Sequence, residues 1–144
     1  MIGKIAVNFA RLDVLAGNAL GLMHGVSLEA RKQFIFPMDT RYKISALSAS
    51  VDGSSRPVQA ADIQELARCY GKWAGDRNLA AHGIDAVDGI WNAKKSKMFD
   101  VGELPGKLTR SEYLATLALR ILMLSGPGDP EDFAPLPPLP DRPE

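Results

Sequence analysis

The sequence has few of the residues that build disulfides and metal sites. It contains one cysteine, Cys69, and two histidines, His24 and His82, among 144 residues. A lone cysteine cannot form an internal disulfide, and no Cys/His set has the spacing of a zinc site. A chain of this length can bury a core without such supports. We therefore expect one domain that needs no metal or cofactor, in a reducing, cytoplasmic setting.

The chain also has no net charge and no long apolar run. Lysine plus arginine number 17, as do aspartate plus glutamate, so the formal net charge is zero. Any contact with nucleic acid must therefore be made by a local patch. No run of about 18 apolar residues occurs, so no membrane span is expected. Arg11 and Asp13 interrupt the apolar stretch near the N-terminus, and we expect no signal peptide there.

The sequence is instead rich in helical periodicity. Apolar residues recur at steps of three and four, which is the period of an amphipathic helix. The pattern predicts an all-α fold, an antiparallel helical bundle. The predicted helices cover residues 2–24, 27–36, 39–51, 57–82 and 109–125.

The ends of these helices carry their own signals. Ser27 is a good N-cap, and Pro37 ends the helix that follows it. Pro57 suits a first turn, and Gly83 suits the position after a last turn. The capping box that begins at Thr109 predicts the start of the last helix.

Two glycines, Gly17 and Gly21, lie inside the first predicted helix. Each costs about 1 kcal/mol of helix stability relative to alanine. An interior glycine usually permits a close packing contact. We therefore expect a second helix to approach the first one here, with a hinge as the alternative.

Two segments depart from the helical period. Residues 84–106 are predicted to contain a short β-hairpin that turns near Lys94-Lys95-Ser96. Seven of the ten prolines lie in residues 127–143, which favours an extended, polyproline-like tail. The alternative for this tail is a ligand for a groove that binds proline-rich peptides. The predicted organisation is a helical domain over residues 1–125 and a Pro-rich tail over residues 126–144.

Arg77 stands where the long helix should place its next core residue. The apolar stripe of that helix passes through Ile63, Leu66, Tyr70 and Trp73. A buried guanidinium needs a carboxylate or an anionic ligand, and Asp13 lies at the edge of the apolar stripe of the first helix. We expect Asp13 and Arg77 to lie within salt-bridge distance. The pair is either purely structural, as most are, or an oriented arginine with donors left for a phosphate.

Asn78 and His82 share one face of the long helix, because they are four residues apart. His82 ends this helix, where the helix dipole favours the charged imidazole. Histidine can act as both acid and base near neutral pH, and arginine can stabilise the charge of a phosphoryl transition state. The alternative is a histidine that merely caps the helix. Lys43 is a further candidate for the same end of the bundle, unless it is a solvated basic residue.

The segment Arg77-Asn78-Leu79-Ala80-Ala81-His82 resembles the signature of the HEPN superfamily. That signature is an arginine, usually a polar residue, and a histidine about four to six positions later. The segments Phe9-Ala10-Arg11-Leu12-Asp13 and Arg41-Tyr42-Lys43-Ile44 are also similar to small bacterial and phage HEPN-like proteins. The resemblance covers roughly residues 5–125.

The resemblance implies a helical bundle that forms a homodimer and cuts RNA without a metal ion, as toxins and phage-defence proteins of this family do. Arg77 would then bind the scissile phosphate, His82 would be the acid/base group, and Asn78 would orient one of them. An antitoxin or another partner protein is implied as well. Other family members only bind or scaffold, and in that alternative Asp13, Arg77 and Asn78 are structural.

Overall fold

The computed structural model describes residues 1–53, 56–86, 89–92, 97–99, 101–127 and 135–144. For residues 79–86, 89–92, 97–99 and 101 it describes the backbone alone. The described helices are α1 (Ile2–Met23), α2 (Leu28–Ala30), α3 (Thr40–Ala49), α4 (Pro57–His82) and α5 (Leu104–Met123). A π-helical turn, Arg31–Ile35, continues α2.

The body of the protein is an all-α bundle. α1 packs mainly against α5, and α3 and α4 complete the core. α1 is long and apolar enough to span a membrane by length and composition, yet its apolar stripe lies in the centre of this core. The largest fully buried apolar side chains are Ile5, Leu12, Leu47, Ile63, Leu66, Leu114, Leu117 and Ile121.

The predicted bounds of α1 and α4 are confirmed to within a residue. α1 ends at Met23, two residues before Gly25, whose φ of 65° suits glycine. α4 begins at Pro57 and ends at His82, and its 26 residues span roughly 39 Å at 1.5 Å per residue. Ser27 caps α2 as predicted, since its side chain accepts a hydrogen bond from the Ala30 amide at 3.2 Å.

The predicted start of the last helix is wrong by about one turn. α5 begins at Leu104, with Pro105 in its first turn. Thr109 lies inside the helix, and its hydroxyl donates to the Pro105 carbonyl at 2.9 Å. Leu104 and Lys107 are buried, so burial extends the helix beyond the local capping signal.

Gly17 and Gly21 make room for side chains rather than for another backbone. A Cβ on Gly21 would clash with Cδ of Arg31. A Cβ on Gly17 would lie 3.3 Å from the Phe36 ring and 3.5 Å from Cε of Lys43. Both glycines therefore let long basic side chains run across α1, and the predicted close helix–helix approach is replaced by this arrangement.

Between α4 and α5 the backbone forms three short strands, β1 (Gly83–Ala86), β2 (Gly89–Asn92) and β3 (Lys97–Phe99). They form an antiparallel sheet in the order β1-β2-β3. The predicted turn at residues 94–96 lies outside the described residues. β1 follows α4 without an intervening loop.

The C-terminal residues 135–144 lie against α4 and α5 without regular structure. Leu139 packs on the core, and Arg120 donates to the Pro137 carbonyl at 2.9 Å. Arg142 makes two hydrogen bonds to the Glu65 carboxylate, at 2.8 and 2.6 Å. The tail is thus held to the bundle by one apolar anchor and by charged contacts.

Candidate functional site

A pocket of about 370 Å³ opens where α1, the start of α3 and the C-terminal half of α4 meet. We call it the Arg77 pocket. Its described lining residues are Ala6, Phe9, Ala10, Asp13, Met38, Asp39, Thr40 and Arg77. Small side chains on α1 leave the space open, and the charged groups stand around an apolar floor.

Arg77 projects into this pocket from α4. The helical period predicts it on the buried stripe, after Trp73, but the residue is exposed. Among the described residues, its guanidinium has no hydrogen-bond or ion-pair partner. A long side chain near the end of a helix can leave the core and keep its charge in water. Its planar set of donors is therefore available to a ligand.

Asp13 lines the same pocket but does not pair with Arg77, so the predicted ion pair is wrong. Its carboxylate instead accepts a hydrogen bond from Nζ of Lys43 at 2.9 Å and one from the Thr40 hydroxyl at 2.6 Å. Both partners come from α3, which packs on α1. Lys43 takes the role that the sequence pattern assigns to Arg77.

Lys43 is buried, with its side chain only 1% exposed. The alternative prediction of a solvated basic residue is therefore wrong. Besides Asp13, its ammonium reaches the Phe36 carbonyl at 3.1 Å, and its stem passes over Gly17. A buried ammonium is tolerated only when it is paired and hydrogen-bonded. The Asp13–Lys43 pair thus fixes α3 on α1 and shapes the pocket wall.

Tyr70 lies on α4 about two turns before Arg77, and the charge of Arg77 affects the pKa of its hydroxyl. Burial raises the pKa of the Tyr70 hydroxyl, whereas the charge of Arg77 and a hydrogen bond with Thr40 lower it. The net shift is upward, so the Tyr70 hydroxyl stays neutral at physiological pH. The charge next to the pocket is therefore not cancelled by a phenolate.

The remaining predicted residues lie further along α4. Asn78 is half-buried, and among the described residues it does not line the Arg77 pocket. His82 is the last residue of α4, and its side chain lies outside the described side chains. Along the helix it is five residues beyond Arg77, which is about 7.5 Å and roughly 140° around the axis.

The structure adds pocket residues that the sequence pattern does not identify as such. Met38, Asp39 and Thr40 line the Arg77 pocket, although the sequence places Asp39 and Thr40 only at the start of a predicted helix. Their role depends on how α3 crosses α1, which no local pattern specifies. The one available signal is the need of Asp13 for a cation, for which the sequence pattern indicates Arg77 and not Lys43.

Chemically, the pocket offers an unengaged guanidinium beside an apolar floor. A guanidinium binds phosphate and carboxylate oxygens through paired, charge-assisted hydrogen bonds. Within the described residues, no group of three or more His, Cys, Asp or Glu side chains is placed to hold a metal ion. The described groups thus suit a ligand that carries both an anion and an apolar surface.

No family model matches this chain, and no curated protein or solved structure matches it. The chemistry of the site is therefore inferred from its own residues. The residues that the structure brings together are Asp13, Lys43, Thr40 and Arg77.

Proposed function

We propose that the protein is a metal-independent endoribonuclease of the HEPN type. The observation that carries this is Arg77, an exposed guanidinium in a pocket of about 370 Å³ with no partner among the described side chains. In this role Arg77 binds the scissile phosphate and neutralises the charge that develops in the transition state.

His82 is the acid/base group in this mechanism. One imidazole removes the proton of the RNA 2′-hydroxyl, and the 2′-oxygen then attacks the adjacent phosphorus. The bond to the 5′-oxygen breaks, and a protonated imidazole supplies the proton to that leaving oxygen. The products are a 2′,3′-cyclic phosphate and a free 5′-hydroxyl. Asn78 is on the same helix face as His82 and orients its ring.

A homodimer completes the site. The backbone positions of Arg77 and His82 lie about 140° apart around one helix axis, so a second copy is the simplest way to oppose the two groups. The exposed apolar residues Val7 and Val14 lie on α1, and Ala10 between them also lines the Arg77 pocket. An α1-to-α1 contact would therefore bring two Arg77 pockets together, with RNA between them.

RNA cleavage of this kind fits a cytoplasmic toxin or phage-defence protein. An antitoxin or another partner protein would inhibit it. A second candidate is a non-catalytic HEPN-like binding or scaffold protein. It is favoured by one observation, namely that Asp13 is engaged by Lys43 and Thr40 and does not orient Arg77. In that case Asp13 is structural and the pocket only binds its ligand.

Cleavage of single-stranded RNA in the presence of EDTA tests the activity. The parent protein should produce 2′,3′-cyclic phosphate ends and leave DNA intact, because DNA lacks the attacking hydroxyl. His82→Ala and Arg77→Gln should each lower the rate by at least about a hundredfold, the scale of one acid/base or oxyanion contact. Light scattering on the same samples reports whether the protein is a dimer.

Lys32→Gln is the matched control, since Lys32 is exposed and does not line the pocket among the described residues. Arg77→Gln should fold normally because Arg77 is exposed, which circular dichroism can check. Activity that survives in His82→Ala, or a parent protein that cleaves no RNA, would favour the non-catalytic candidate. If the protein is a monomer at all concentrations, the site cannot be built from Arg77 and His82 of two copies.

A further inference from the structure

A second groove, of about 320 Å³, lies between α3 and α4. Its described lining residues are Arg41, Ile44, Ser45, Ser48, Ala67, Tyr70 and Gly71. Arg41, Ser45 and Ser48 stand one above another on α3, at the spacing that places residues on one helix face. Arg41 is exposed and has no hydrogen-bond or ion-pair partner among the described residues.

This groove adjoins the Arg77 pocket. Thr40 lines the pocket and the next residue, Arg41, lines the groove. Tyr70 forms part of the groove wall, and the charge of Arg77 lowers the pKa of its hydroxyl against the effect of burial. Tyr70 and Arg77 are seven residues apart on α4, which is roughly 10 Å along its axis. Pocket and groove are therefore neighbouring sites along one face of α3 and α4.

The charged groups around the two sites favour an anionic chain. Arg41 and Arg77 are two guanidinium groups without a partner among the described residues, and the hydroxyls of Ser45 and Ser48 continue the groove beyond Arg41 along α3. The Asp13 carboxylate, which also faces this region, is offset by Lys43. Asp39 is the one exposed carboxylate among the described lining residues. A local excess of positive charge thus exists in a chain whose net charge is zero.

We infer that the groove between α3 and α4 is a subsite for a neighbouring nucleotide of the same RNA strand. Arg41 holds the phosphate of that nucleotide, and Ser45 and Ser48 hydrogen-bond to its ribose or phosphate oxygens. The groove is open next to Gly71, since a Cβ there would meet nothing within 4 Å. This inference rests on the proposed ribonuclease activity for the identity of the strand.

Binding is measured with a fluorescently labelled 2′-O-methyl RNA decamer, by fluorescence anisotropy. This decamer cannot be cleaved because its 2′-oxygens are blocked. Arg41→Gln should raise the Kd about tenfold, the effect of one charge-assisted phosphate contact. It should also reduce the slope of log K against log salt by about 0.7, the value for one phosphate of a single strand. Lys32→Gln should change neither quantity.

A steric variant tests the same groove without removing a charge. Gly71→Leu places a branched side chain in the groove and should weaken decamer binding about as much as Arg41→Gln. Gly71→Ala also replaces the helical glycine by a residue with a side chain. Its methyl group is too small to cross the groove, so this variant should bind the decamer like the parent. Circular dichroism confirms the fold of each variant.

Cleavage then separates the two sites. A dinucleoside monophosphate has a single phosphate, which occupies the Arg77 pocket, so Arg41→Gln should cleave it as the parent does. On an unmodified RNA decamer, Arg41→Gln should lower kcat/KM about tenfold.

Equal decamer affinities for Arg41→Gln and Lys32→Gln would overturn the subsite even if the parent cleaves RNA. A parent protein that binds the decamer through Arg41 yet cleaves nothing would support the subsite and overturn the ribonuclease. A parent protein that binds no RNA would overturn both.

Discussion

Lys43 and Arg77 are two cations near the same end of the bundle, and burial gives them different roles. Lys43 is 1% exposed and paired with Asp13 at 2.9 Å, whereas Arg77 is exposed and unengaged within the described part of the chain. A paired, buried cation supports the fold, and an unpaired, exposed one is available to a ligand. Substitution of Lys43 should therefore lower the stability of the fold, whereas substitution of Arg77 should leave it almost unchanged.

Asp13→Ala should destabilise the protein clearly, by about 3 kcal/mol, because it leaves a buried ammonium without its carboxylate. Lys43→Met should cost less, since Asp13 is 32% exposed and keeps the Thr40 hydroxyl and water as partners. Arg77→Gln should stay within about 0.5 kcal/mol of the parent. Urea denaturation of the three variants measures these differences. Equal losses for Asp13→Ala and Arg77→Gln would contradict the assignment.

The sequence could not identify this pairing in advance. Periodicity places Arg77 on a stripe and Asp13 at the edge of another, which is local information. Which cation reaches Asp13 depends on the crossing of α1 and α3 and on the free space above Gly17. Both are properties of tertiary packing. The sequence could therefore indicate a site near Arg77, but it could not indicate which residues of α3 form the wall of the pocket.

At the scale of elements, the helices with strong local signals were predicted well. Pro57 and Gly83 bound α4, because their backbone preferences act on adjacent residues. The predicted start of α5 is wrong because the burial of Leu104 and Lys107 extends the helix toward its N-terminus, beyond the capping box at Thr109. Capping and backbone signals thus determine where a helix begins or ends only where tertiary contacts do not lengthen the helix.

Thr109→Ala distinguishes the two possible starts of α5. Inside a helix, alanine has a higher helix propensity than threonine, so the variant should be unchanged or more stable by about 0.5 kcal/mol. At an N-cap the same change would cost about 1 kcal/mol. Thermal or urea unfolding gives the sign, with Thr116→Ala as control, since its hydroxyl likewise donates to a carbonyl within α5, that of Glu112, at 2.9 Å. A loss for Thr109→Ala alone would restore the predicted start.

For the molecule as a whole, the C-terminal tail joins parts that are distant in sequence. Arg142 pairs with Glu65, and Glu65 also accepts a hydrogen bond from the Cys69 thiol. The Arg142 hydrogen bonds are the main reason that the pKa of Glu65 is lowered from 4.5 to about 2. The sequence predicted an extended tail, but its contacts depend on where α4 and α5 present their side chains.

This lowered pKa predicts how stability depends on pH. The folded state binds fewer protons at Glu65 than the unfolded state does between about pH 2 and 4.5, so stability falls as the pH drops through this range. Above pH 4.5 the full contribution is present. Urea denaturation of the parent and Glu65→Gln should differ most above pH 4.5 and converge near pH 2. A constant difference across this range would contradict the pairing.

The buried thiol of Cys69 has a practical consequence for experiments on this protein. It is fully shielded from solvent, and burial is the main reason that its pKa is raised to about 11. The thiolate is the nucleophile that attacks thiol reagents, so Cys69 should react with them very slowly at neutral pH. A cysteine introduced at Arg41 or on α1 would then be a unique attachment point for a spectroscopic label, in an otherwise unaltered background.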